Sequence, residues 1–205
     1  MATPTKVDNI FFGFGGLPIV EVSANGISKS DELSVSSIFI AQFFVHYSPT
    51  SVAAITVGPE LRIESTPFPS GNAGWLPIIA PVIFGINTGN TSAVDGTEAA
   101  TETLINEVTT TGLANGQLVF FKNSALQNSE FSRVQAVSVG ASFTIFDGLT
   151  NAQTGSTWFN QGEYFAPLVD LGGVKRLRAV VNNNRDATAR SIALRIGMVQ
   201  LTQIV

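Results

Sequence analysis

The chain has 205 residues, 44% of them hydrophobic and only 13% charged, with a net charge of −4; that length suffices for one sandwich with an insertion, or for two small domains, around a real core. It contains no cysteine, which excludes disulfides, thiolate metal sites and cysteine nucleophiles. No apolar run reaches the length of a membrane span, and the acidic balance disfavours nucleic acid as a partner.

Residues 1–16 read as an N-terminal arm. Met1 to Asp8 hold one base and one acid with no cleavage pattern behind them, so no secretory signal is expected. Phe11-Phe12-Gly13-Phe14-Gly15-Gly16-Leu17-Pro18 follows. Such an aromatic segment does not rest exposed in water; either it packs under the domain or Phe11, Phe12, Phe14 and Leu17 contact a partner, and partner contact is the expectation. Its glycines lack the spacing and the following Lys-Ser/Thr of a phosphate loop.

Ile19 to Ser23 begins a strand and Asn25-Gly26 is a turn signal. Ser37 to Tyr47 is almost continuously apolar, the mark of a strand buried on both faces. His46, the one histidine, closes that strand and reads as a structural hydrogen-bonding group. Ile55 to Ser65 alternates, with Leu61 and Ile63 inward against Glu60, Arg62 and Glu64, and Pro59 marks an edge or bulge. Trp75, after the turn Gly71 to Gly74, is expected to plug the core.

From Asn87 to Glu107 the composition turns to Gly, Thr, Ser and Ala with four acids and no base, a domain boundary. Short strands follow at Leu118–Lys122, Ser132–Val137 and Phe143–Phe146, spaced as in a small barrel. Ser129 to Arg133 offers an ion pair across two barrel strands. Trp158, Phe159, Tyr164 and Phe165 are placed to close the barrel on the sandwich; Trp158, Phe159 and Tyr164 are also the residues that would stack on a sugar. Glu163 to Pro167 returns the chain to the sandwich.

Val174 to Asn182 and Ser191 to Val199 alternate strictly and read as a hairpin, with Leu177, Ala179, Val181, Ile192, Leu194, Ile196 and Met198 inward and Arg176, Arg178 and Arg195 on a basic outer face. Residues 171–205 hold six bases against Asp186 alone, a charge of +5, whereas the first 170 carry five bases and fourteen acids, −9. One reading is a solvated strand face; the other is docking of basic and acidic faces between copies, with Arg176, Arg178 and Arg195 as contacts. The fold class is therefore all-β: an antiparallel, jelly-roll-like sandwich from residues 17–104 and 164–205 with a small β-barrel, 105–163, inserted.

Glu60 to Thr66, Trp75-Leu76-Pro77, Asn128 to Val134, Asp147 to Ser156 and Lys175 to Arg178 come in an order that resembles the β-rich structural proteins of tailed bacteriophages and prophages, from about Ser34 to Val199. The insert, with Gly112-x-x-x-Gly116-x-x-Val119 and Arg133-Val134-x-x-Val137, is similar to the small barrels inserted into phage head and tail proteins. The resemblance implies a non-enzymatic virion protein, made in the host cytoplasm and carried in the virion: a capsid decoration or minor head subunit, with a tail or neck subunit, or a receptor- or glycan-binding module, as alternatives. The partners implied are further copies of the chain and other virion proteins such as the major capsid protein.

Catalysis finds little support in the residues. A Ser-His-Asp site needs an oriented base, and the sole histidine sits in an apolar strand. Glu130 and Asp147 are a carboxylate pair that could meet as in a glycosidase, and the remaining acids lack metal-ligand spacing. No catalytic, cofactor-binding or metal-binding residue is expected.

Overall fold

The computed structural model describes residues 6–23, 25–35, 38, 40–50, 58–84, 90–107, 109–140, 142–159, 162–184 and 191–201. In chain order the strands are β1 (Lys6–Phe11), β2 (Val20–Val22), β3 (Ile27–Lys29), β4 (Leu33–Ser34), β5 (Ile40–Pro49), β6 (Glu60–Thr66), β7 (Leu76–Pro77) and β8 (Val82–Ile83). They continue as β9 (Asn90–Ala93), β10 (Leu104–Asn106), β11 (Leu118–Lys122), β12 (Glu130–Ser138), β13 (Ser142–Ile145), β14 (Ser156–Phe159), β15 (Gly162–Asp170), β16 (Arg176–Asn182) and β17 (Ile192–Leu201). No α-helix occurs among the described residues.

The chain is all-β, as the alternation and turn residues require. Three antiparallel sheets form: β1-β17-β5-β15 with β2 also on β17; β3-β16-β6-β7 with β4 on β16 and β8 on β6; and a curled half-barrel, β10-β13-β12-β11-β14-β9. The first two are the sandwich. Ala41, Phe43 and Val45 of β5 and Ile192, Leu194, Ile196 and Met198 of β17 meet Leu61 and Ile63 of β6 and Leu177, Ala179 and Val181 of β16 in one core. Each Val, Leu, Ile, Phe or Met side chain among them contributes about 1.5–3 kcal/mol on burial. The half-barrel has its own core around Ile105, Val119, Phe121, Phe143 and Ile145, and its outer side covers part of the far face of the first sheet. The β1-β17-β5-β15 sheet is thus the middle layer of three.

The hairpin expected from β16 and β17 does not form. β16 pairs with β3, β4 and β6, and β17 with β1, β2 and β5, so the two lie in opposite sheets and meet face to face. Alternation states which side of a strand is buried, and packing across a core satisfies it as well as lateral pairing does. The connector is also far longer than the two-residue turns that make tight hairpins; its residues 185–190 lie outside the described residues. Asn25 (φ 57°) and Gly26 form a turn, yet it too carries the chain between sheets, since β2 joins β17 and β3 joins β16.

The arm is corrected in the same way. Residues 6–11 are the edge strand of the middle sheet, paired with β17. Phe12 is fully buried in the sandwich core beside Phe43, and Phe14 packs against that core. Phe14 and Leu17 close a bridge across the glycine turn, whose Gly16 N–H is held by the Asp31 carboxylate at 3.0 Å. Residues 1–5 lie outside the described residues. The inserted sheet begins at Asn90 and ends at Phe159, not at 105 and 163, because β9 supplies its edge by backbone pairing with β14 and Asn-Thr-Ser-Ala shows no apolar alternation. Trp75 is not a core plug. It lies half-buried on the outer face of the second sheet under the Arg176 and Arg178 guanidinium groups, 5.1 and 4.1 Å from its ring centroid.

Because Phe12 is part of the core, Phe12→Ala is expected to lower unfolding free energy by about 3–5 kcal/mol. Phe11→Ala, at the sheet's outer face, is expected to cost much less. Guanidinium denaturation of both variants checks this; equal, small losses would restore the detached arm.

Candidate functional site at the junction of barrel and sandwich

Side chains of β5 and β17 that point away from the core form the outer face of the middle sheet. On β5 these are Gln42, Phe44, His46 and Ser48; on β17 they are Ala193, Arg195 and Gly197. At one end Ala193 and Ile19 are sealed by Leu118, Phe120, Phe131 and Trp158 of the half-barrel. At the other end nothing among the described residues covers the face: Phe11, Phe165 and Leu168 are 36%, 58% and 60% exposed. Phe44 lies between, 5.8 Å from Phe11 edge-on and 6.5 Å from Phe165. Gly197 makes that meeting possible, since a Cβ there would stand 2.5 Å from the Phe44 ring.

A polar chain crosses the junction. Arg195 donates from Nη2 (2.7 Å) and Nε (3.3 Å) to His46 Nδ1. A guanidinium cannot accept, so Nδ1 carries the lone pair and the proton sits on Nε2. That nitrogen faces Glu163 Oε1 at 3.3 Å, and Arg133 of the half-barrel pairs with the same oxygen. Burial first, then the Arg195 and Arg133 charges, lower the His46 pKa to about 4. His46 is neutral at pH 7, and its contact with Glu163 is not an ion pair. A second tie, Lys122 Nζ to Glu21 Oε1 at 2.6 Å, joins β11 to β2. Glu21 also accepts from the Thr50 hydroxyl.

Beside this chain lies an open cleft of about 330 Å³. His46, Arg133 and Arg195 line it with Glu130 and Asp147. The two carboxylates do share a cavity, but Glu130 is already committed. It accepts from the backbone N–H groups of Thr150 (2.9 Å) and Asn151 (3.2 Å) and from Gln153 Nε2 (2.8 Å). Its work is to pin the 150–153 loop, and the ion pair expected from Ser129–Arg133 across two barrel strands does not occur among the described residues, because Arg133 reaches out of the half-barrel to Glu163 of β15. No group of three or more metal-ligating side chains occurs among the described residues.

The remaining sequence candidates are dispersed. Arg176 pairs with Glu32 and Arg178 with Glu64 at 2.7 Å, both on the outer face of the second sheet. Arg195 is in the middle sheet, so the three arginines form no common basic face. Trp158 is buried in the junction, whereas Tyr164 packs toward the sandwich core; the Phe159 side chain lies outside the described residues. Trp158 and Tyr164 therefore share no stacking platform. The sequence reading did not single out Glu163, Phe44 or Gly197, and it placed the ion pair of the Arg133 segment between barrel strands instead of on Glu163. A glycine inside the strand run Ile196-Gly197-Met198 was the available signal, since such a position marks a close approach.

His46 makes the junction acid-sensitive. An unfolded chain protonates it near 6.5 and the folded protein only near 4. Its contribution is therefore complete above about pH 6.5 and is lost as pH falls toward 4. Denaturant unfolding at pH 7.5 and pH 4 is expected to differ by about 3 kcal/mol from this group. His46→Gln, whose amide offers an acceptor and a donor, should flatten that component; an unchanged pH slope would remove His46 from it. Searches of protein-family models, curated proteins and solved structures return no match to this chain.

Proposed function

We propose that the chain is a non-enzymatic structural subunit of a tailed-phage-type virion, a decoration or minor head protein that works by burying surface against further copies and against neighbouring virion proteins. The observation that carries this reading is the uncovered end of the middle sheet. Phe11, Phe165 and Leu168 stand exposed around Phe44 on a sheet whose other face is core, and grouped apolar exposure on a rigid surface is the mark of a protein contact. The non-catalytic reading is supported by the commitments of the polar groups. His46 is taken by Arg195 and Glu163, and Glu130 by the loop it holds. The sequence resemblance to phage structural proteins supplies the particle.

The internal pairing of Arg176 and Arg178 changes the expected character of assembly. With those charges neutralised within the chain, association through the apolar end of the sheet should be insensitive to salt. Light scattering of the recombinant protein over a concentration and salt series is expected to give a discrete oligomer that persists at high salt. The double variant Phe165→Glu/Leu168→Glu should dissociate it with little change in melting temperature. A wild-type protein that stays monomeric throughout, and a variant indistinguishable from it, would overturn the assignment of this face.

A further inference from the structure

Arg195 is unusual among the described arginines. Arg62, Arg133, Arg176 and Arg178 each have a carboxylate within 4 Å. Arg195 has none. Its described partners are the neutral His46 and the rings of Phe11 and Phe131, 5.6 and 5.4 Å from its guanidinium carbon. Glu130 and Glu163 act on it only at longer range. Both bonds to His46 come from Nε and Nη2, so Nη1 makes no hydrogen bond among the described residues, and it is not one of the sealed, unpartnered polar atoms. A part-buried guanidinium with no carboxylate in direct contact is costly, and an anion brought to it recovers part of that cost.

The space in front of Arg195 has the shape for such a ligand. Arg195 lines not only the polar cleft but a second lobe of about 300 Å³, within the size range of small-molecule sites. Phe11, Pro18 and Ile19 supply an apolar wall, and Gln127 and Asn151 face them from the half-barrel. Glu130 also borders this lobe, but three N–H donors already hold its carboxylate. Glu130 keeps its charge and acts on Arg195 at longer range, and Arg195 Nη1 is the donor left for a ligand.

We infer that this lobe binds a small carboxylate with a short apolar body, the carboxylate meeting Arg195 Nη1 and the body lying on Phe11, Pro18 and Ile19. The lobe shares Phe11 with the exposed sheet end used for assembly, but Phe165 and Leu168 do not line it. The Phe165→Glu/Leu168→Glu variant should therefore lose association and keep hexanoate binding, which separates failure of one assignment from failure of the other. The test is a titration of the full chain with sodium hexanoate, followed by the Arg195 Nε–Hε resonance and the amides of residues 18, 19, 127 and 151. Saturable shifts at these positions are expected, with a Kd of about 1 mM, and hexanol should bind at least about tenfold more weakly. N-acetyl-leucine in a parallel arm separates a peptide carboxyl end from a free aliphatic acid by which binds tighter.

Arg195→Met should weaken hexanoate about tenfold. Because that change also removes the bond to His46, Gln127→Trp serves as a second variant: Gln127 is exposed, and the indole should block the lobe without touching Arg195. Hexanol binding as well as hexanoate, absence of a shift at Arg195, or full binding by Gln127→Trp would each overturn the site.

Discussion

The middle sheet is buried on one face by the sandwich core and on part of the other by the half-barrel, and that constraint organises the rest of the molecule. β5 and β17 place Phe43, Val45, Leu194 and Ile196 in the sandwich core and Phe44, His46, Ala193 and Arg195 on the opposite face. A strand with two dry faces has no side left for unpaired polar groups. Its outward polar residues must find partners in whatever covers them. The half-barrel meets that need with Arg133 and Lys122 as well as with Phe120, Phe131 and Trp158.

The junction is therefore apolar contact tied by a few directional bonds, and the bonds set its geometry. Arg195 dictates the tautomer of His46, which turns its N–H to Glu163, which in turn holds Arg133 of the half-barrel. Glu130 performs a parallel task three residues before Arg133 on β12, gathering the 150–153 loop onto that strand. The barrel's own interior is similarly tied: Glu98 takes both N–H groups of Asn106, and buried Glu107 accepts from Thr157. Burial raises the Glu107 pKa. Two of the four acids in the 87–107 stretch read as a domain boundary, Glu98 and Glu107, are interior hydrogen-bond acceptors, while Asp95 and Glu102 are exposed.

Edges receive different treatment. β15 is the free edge of the middle sheet, and Pro167 sits in it at a register shift between Phe165 and Leu168. A proline and a bulge discourage further strand pairing. Gln42 Nε2 takes up the Ala166 carbonyl there at 3.0 Å. With lateral addition hindered, the exposed side chains of this strand offer a face rather than an edge to a neighbour.

Much of the architecture was legible in the chain itself. Low charge, alternation and turn residues determined an all-β protein; Ser37 to Tyr47, whose residues 40–47 lie in β5, marked a strand buried on both faces; Leu61, Ile63, Leu177, Ala179, Val181 and the even positions of Ile192 to Met198 determined which sides face inward. What only the tertiary structure decided is who sits beside whom. Backbone ladders are made of identical N–H and C=O groups in every strand, so alternation specifies a face and leaves the neighbour open. That is why β16 and β17 lie in opposite sheets, why the turn at Asn25-Gly26 carries the chain from one sheet to the other, and why three arginines read as one basic face are divided between two. The Arg195–His46–Glu163–Arg133 chain unites residues from β17, β5, β15 and β12, far apart in sequence, and exists only because the half-barrel folds back onto the middle sheet.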